Sequence, residues 1–179
     1  MILTVDGDCR DLASVEHLVH QLDEVLGGLL DEEAGYVAST HVVRTPPARF
    51  VVALSWPDDG STDDAVAEVV RTALPGVEVG SLAEVVAEAS SRAAGRLARY
   101  PGRRLVERRT TAGAVVDASC VDAVEGLAGV TVTPETELDL TGFARPTWRE
   151  GRCTLLVQPA RGVLVPFEVR HQVSCCADH

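Results

Sequence analysis

The sequence predicts an α+β fold, and three observations carry that expectation. A helical stripe of apolar residues fills positions 12–30, two β-branched runs follow it on either side of a double proline, and the last fifty residues alternate strand-like runs with short turns. Nearly half of the 179 residues are apolar, which is enough for a substantial core, while aromatic residues make up 4%. That core is therefore expected to be built mostly from Val, Leu and Ala.

Each element has a local reason. Residues 1–5 read as a short buried strand, and DGDCRD supplies turn residues, with Asp11 placed to cap a helix. Leu12, Val15, Leu18, Val19, Leu22, Val25, Leu26, Leu29 and Leu30 repeat in steps of three and one, the spacing of a single helix face. Residues 36–43 and 49–56 read as an antiparallel pair broken by RTPPA. Ser61 or Thr62 is placed to cap a second helix over 63–74, and 77–79 form a short strand. The resulting order, strand, helix, strand, strand, helix, strand, is the βαββαβ pattern of ferredoxin-like folds. That pattern hosts many unrelated activities, so it names none.

A third helix is expected next, opened by a capping box at Ser81 and Glu84 and running toward YPGRR. Leu82, Val85, Val86, Ala89, Ala93 and Leu97 form its apolar side. Beyond it, LVERRT reads as a strand and a helix is expected near 117–127. VTVT, TGFARPTW, RCTLLVQP and GVLVPFEVR then read as a C-terminal antiparallel β meander. The organisation is thus a 1–100 layer with an Arg-bearing helix and a mostly β 101–179 layer, which can also form one continuous domain.

Composition narrows the function classes. The chain has no Lys and no Asn, its only Ile is Ile2 and its only Met is Met1. These residues share AT-rich codons, so the usage points to a GC-rich bacterial genome and warns that Arg stands in for Lys throughout. No apolar run reaches the length of a membrane span, and the N-terminus lacks the basic start and long apolar stretch of a signal peptide. The expectation is a soluble cytoplasmic protein. Five cysteines, an odd number unevenly spread, fit reduced thiols better than a disulfide scaffold.

The net charge of −11 is unevenly placed. Residues 92–109 hold seven arginines against Glu107, inside an otherwise acidic chain. Acidic balance disfavours phosphate neutralisation, so nucleic acid is not the expected partner. Arg92, Arg96, Arg99 and Arg103 recur in steps of four, three and four, which on a helix forms one stripe. Such a stripe suits an acidic ligand or partner, or packs against the chain's own acidic N-terminal half.

The densest cluster of chemistry is the tail, HQVSCCADH. His171, Cys175, Cys176 and His179 offer imidazole and thiolate ligands for zinc or another thiophilic metal ion. Adjacent cysteines differ from the C-x₂₋₄-C spacing of structural zinc sites. Cys9, in GDCRD between the first strand and first helix, sits where a helix N-terminus lowers a thiol's pKa. That loop resembles the metal loop of ferredoxin-like heavy-metal-binding domains, which carry their thiols there as C-x-x-C. The resemblance implies a metal role for Cys9, with the second thiol coming from the tail. His17 and His20, flanked by Glu16 and Glu24, read as a polar helix face.

The sequence contains no G-x-G-x-x-G, Walker A or G-x-S-x-G motif, and no nucleophile–base pair is visible in linear order. Two function classes follow. One is a small metal-binding or metal- and redox-sensing accessory protein working through its tail. The other is an acidic interaction module, of the immunity-protein or regulatory kind, that engages a protein partner or another copy of itself. An enzyme assembled from distant residues remains a third class.

Overall fold

The computed structural model describes residues 2–27, 29–30, 35–57, 63–160 and 162–168. Within them the fold is mixed α+β: five α-helices and eleven strands, all joined in one sheet. The strand order along the sheet is β4-β1-β3-β2-β5-β9-β10-β11-β8-β6, with β7 attached to β10.

The N-terminal part comprises β1 (Ile2–Cys9), α1 (Leu12–Leu26), β2 (Val37–Val43), β3 (Arg49–Ser55), α2 (Asp63–Ala73) and β4 (Glu78–Gly80). Every pairing among its strands is antiparallel. Period-two alternation sorts their side chains onto two faces. Val52 and Leu54 of β3 face α1 and α2, joining Leu3, Val5, Leu18, Leu22, Val66 and Trp56 in one core. Val51 and Ala53 face the opposite side and join a second core that includes Val85, Leu97, Tyr100, Leu155 and Trp148. Asp11 caps α1 as its position suggests, accepting from the Ser14 amide at 2.8 Å.

The third helix departs from expectation at both ends. α3 spans Ala83–Ser91, and no side chain caps its N-terminus. The expected Ser81–Glu84 box does not form; the N-cap is Leu82, whose amide donates to Thr4 Oγ1 of β1 at 3.0 Å. At the other end Ser90 and Ser91 turn their hydroxyls back onto Ala87 O, and Arg92 enters the left-handed region at φ +53°. Gly95 follows at φ +135°, where a Cβ would stand 2.7 Å from His41 Cε1. The chain then extends as β5 (Arg96–Arg99). The helical arginine stripe does not form. Arg92 caps α3, Arg96 and Arg99 lie on a strand, and Arg103 opens the short α4 (Arg103–Val106).

β5 connects the two parts. It pairs with β2 on one side, and Arg96 lies opposite Thr147 of β9 (Thr147–Arg149) on the other. Two further bonds reinforce that seam, Leu97 N–H to Pro146 O and Trp148 N–H to Gly95 O, each 2.8 Å. Beyond it lie β10 (Arg152–Ala160) and β11 (Val163–Pro166), an antiparallel pair.

The rest of the C-terminal part is not a simple antiparallel meander. β7 (Ala123–Gly126) runs parallel to β10, and β8 (Glu137–Asp139) runs parallel to β11. β6 (Arg109–Thr111) pairs with β8 and is followed directly by α5 (Ala112–Ala118). The helix expected near 117–127 forms instead over 112–118, because Thr111 caps it, accepting from the Ala114 amide at 3.3 Å, and residues 123–126 of the expected span are strand β7. It ends where the Ser119 hydroxyl donates to Val115 O at 2.7 Å. Residues 130–133 form no strand; Thr133 and Thr136 close a turn there. No described helix is long and apolar enough to cross a membrane.

Candidate functional site

Within residues 96–103, Arg96 and Arg99 meet carboxylates brought from far along the chain. Arg96 pairs with both Glu16 of α1 and Glu168, and Arg99 pairs with Asp23 one helical stretch further on. Arg103 Nε donates to Glu107 Oε1 at 3.0 Å. Arg145, absent from the arginine block, joins the two ends: it meets Glu16 at 3.4 Å and Glu107 at 3.3 Å. The Phe143 ring lies under its guanidinium, 4.4 Å from centroid to Cζ. Four guanidinium groups thus face four carboxylates.

This network is mostly out of solvent. The side chains of Arg145 and Arg99 are 5% and 6% exposed. Burial alone would raise the Glu16 pKa, but Arg145 and Arg96 outweigh it and hold the carboxyl below its ordinary range. Burial, with Arg103 and Arg145 nearby, lowers Arg99 to about 10, so it stays charged at neutral pH. An acidic ligand would have to displace Glu16, Asp23 and Glu107 to reach these cations. Arg92 stands apart at the exposed end of α3.

A second constellation was hidden in YVASTHVV. Ser39 and His41 alternate on β2 and share a face, beneath α3. Ser39 Oγ lies 2.9 Å from His41 Nε2, and His41 Nδ1 lies 3.1 Å from Glu88 Oε2. The neutral ring with its proton on Nδ1 satisfies both contacts, donating to Glu88 and accepting from the Ser39 hydroxyl. Burial depresses the His41 pKa, and Glu88 only partly offsets this. The order resembles a nucleophile–base–acid relay, but Ser39 and His41 are 1% and 2% exposed. Gly95 and Trp148 close the ring in. The set is a satisfied buried polar group that ties α3 to the sheet.

The thiols fall into different settings. Cys9 is the last residue of β1 rather than a free turn residue, pairs with Phe50 of β3 and is 6% exposed. Its pKa is raised, chiefly by burial, with the Ser14 hydrogen bond opposing and Asp6, Asp11 and Asp8 adding to the rise. The lowering of the thiol pKa expected beside the helix N-terminus is therefore outweighed by burial. Cys120 and Cys153, 33 positions apart, are brought together: the Asp122 amide donates to Cys153 O at 2.8 Å, and Cys120 packs half-buried against the core cluster that holds Cys153. Linear sequence gave no sign of that pair, because the parallel β7–β10 pairing creates it.

His17 and His20 lie exposed on α1. Among the described residues, no three His, Cys, Asp or Glu side chains form a group suited to a metal ion. The expected tail ligands His171, Cys175, Cys176 and His179, and the expected caps Ser61 and Thr62, lie outside the described residues. No protein-family model, curated protein or solved structure matches the chain.

Proposed function

We propose that this chain is an acidic protein-interaction module, without catalysis, that covers a basic partner. One observation carries the reading. The arginines best placed to offset the chain's negative charge turn inward onto its own carboxylates, while Glu24, Asp64, Glu68 and Glu78 stay exposed. Those four belong to α1, α2 and β4, and α2 packs against both of the others. None of them joins an ion pair among the described residues, and Arg71 is the one arginine on α2. A field of this sign speeds encounter with a basic surface and weakens as salt rises.

The test is capture from the native host at low salt, using wild-type chain beside an Asp64→Arg, Glu68→Arg variant. The reading expects a partner of net positive charge, bound more weakly as salt rises and lost by the variant. Recovery of no partner, or of one indifferent to the charge reversal, would overturn it. The β4-β1-β3-β2 order with antiparallel pairs supports a ferredoxin-like arrangement as the frame for this surface. A reducing cytoplasm is the setting the reading assumes.

A second reading rests on Glu168. Its ion pair with Arg96, beside Glu16, anchors the chain next to α1 just before the Cys/His tail. Cys175 is seven residues on, an extended reach of about 23 Å. In this reading His171, Cys175, Cys176 and His179, with Cys9, hold zinc or another thiophilic ion. Cys9 would have to leave its buried place to join. Elemental analysis of untagged protein decides it: metal present at a stoichiometric level in the full chain and absent from a Cys175→Ser, Cys176→Ser variant supports it. Equal metal content in both would sink it.

A further inference from the structure

Four segments converge at one corner of the sheet: the end of α3, the turn between β5 and α4, the loop between α5 and β7, and the start of β10. Their backbones are locked together. The Cys120 amide donates to Pro101 O at 3.1 Å, the Asp122 amide donates to Cys153 O at 2.8 Å, and the Cys153 amide donates to Asp122 Oδ2 at 2.7 Å. Parallel pairing continues from there, with Ala123 opposite Thr154. The end of α3 is pinned to the same corner by Gly151 N–H to Arg92 O at 3.1 Å.

Within this frame Cys120 packs against the core cluster that holds Cys153, so each thiol shifts the acidity of the other, and the Arg92 cation acts on both. Their exposure differs. Cys120 is half-buried, whereas Cys153 is 1% exposed. Their acidities differ in the same sense. The hydrogen bond from Cys153, helped by Arg92, lowers Cys120 against the effect of burial. Donating its S–H to the Cys120 sulfur, together with burial, pushes Cys153 up. Cys120 is thus the thiol that an oxidant can reach, and Cys153 lies buried beside it.

We propose that Cys120 and Cys153 are a peroxide-responsive dithiol, in which Cys120 attacks the oxidant and Cys153 closes a disulfide. In the first step the Cys120 thiolate attacks one oxygen of a hydroperoxide. A sulfur–oxygen bond forms, the O–O bond breaks, and the departing alkoxide takes a proton to leave as an alcohol. In the second step the Cys153 sulfur attacks the Cys120 sulfenic acid. The S–S bond forms, and the hydroxyl leaves with the Cys153 proton as water. Two electrons pass from the thiol pair to the peroxide. The bridge joins the α5–β7 loop covalently to β10. This proposal does not depend on the interaction or metal readings above.

The test uses the full chain carrying Cys175→Ser and Cys176→Ser, so that tail thiols do not contribute, treated with tert-butyl hydroperoxide. The expected product has lost the mass of two hydrogens and yields one linked peptide pair containing Cys120 and Cys153. Adding Cys153→Ala is expected to stop the reaction at a Cys120 sulfenic acid that dimedone traps. Adding Arg92→Gln instead is expected to slow loss of the Cys120 thiol several-fold while leaving the circular dichroism spectrum unchanged. Both thiols remaining free, Cys120 passing to sulfinic acid without a bridge, or a bridge between two chains would each overturn the proposal.

Discussion

Arg145 and Glu16 are 129 positions apart in sequence and meet at 3.4 Å. The pair fastens the segment before β9 onto α1, and Arg145 extends the same link to Glu107. Replacing Arg145 with Met leaves two buried carboxylates with one fewer cation. Loss of one partner from a buried pair costs about 3 kcal/mol, and equilibrium urea unfolding of Arg145→Met is expected to show a loss of that size. Arg145→Lys restores the charge but not the fork that serves both carboxylates, so it recovers only part. A loss below about 1 kcal/mol, the range of exposed pairs, would mean that Arg96 and Arg103 hold Glu16 and Glu107 adequately alone.

Stability is expected to fall in two stages as pH drops. His41 has a folded pKa below its ordinary 6.5. The unfolded chain then takes up its proton first, and stability present above 6.5 declines below it. Glu16 is also depressed, from 4.5. Its contribution is complete above that value and is lost as pH falls through the folded pKa. Urea midpoints measured against pH locate both stages. His41→Gln should remove the upper one and keep the lower; an unchanged upper stage would assign it to another group.

Gly95 packs against the same imidazole. Its φ of +135° is close to glycine's private territory, and any Cβ would meet His41 Cε1. Strain of this kind costs about 1–3 kcal/mol, so Gly95→Ala is expected to lower the unfolding midpoint by that order or more. The His41 Cε1–H proton resonance should shift as well. Wild-type stability in Gly95→Ala would show that the turn after α3 relaxes freely.

Thr4 offers a subtler test. Its hydroxyl is the acceptor for the Leu82 amide at the start of α3. Thr4→Val keeps the shape and removes the acceptor, which costs about 1–2 kcal/mol. Hydrogen exchange at Leu82 should quicken while Val86, bonded to Leu82 O, stays protected. Equal protection of Leu82 in both proteins would show that water replaces the hydroxyl.

Local pattern and tertiary context divided the sequence reading between them. The α1 stripe, the Asp11 cap and the β2–β3 pair were legible because periodicity and turn chemistry specify them within a few residues. The arginine spacing misled because steps of four and three fit a helix, while Ser90, Ser91 and Gly95 end it before Arg96. The mixed sheet was illegible for a different reason: β7 and β8 are short strands whose parallel partners lie elsewhere in the chain. Ser39–His41 could have been found from period-two alternation, but Glu88 and Arg145 needed the fold.

The sheet path ends at β4 on one side and β6 on the other, strands of three residues each. So short a rim offers another chain little free backbone to copy, which guards against fibrils and stacked sheets. Glu78 marks one rim and Arg109 the other. Any macromolecule that recognises this protein at those margins therefore encounters a sign of charge before it encounters an unpaired amide. Selectivity there becomes a matter of complementary side chains rather than of lending a strand.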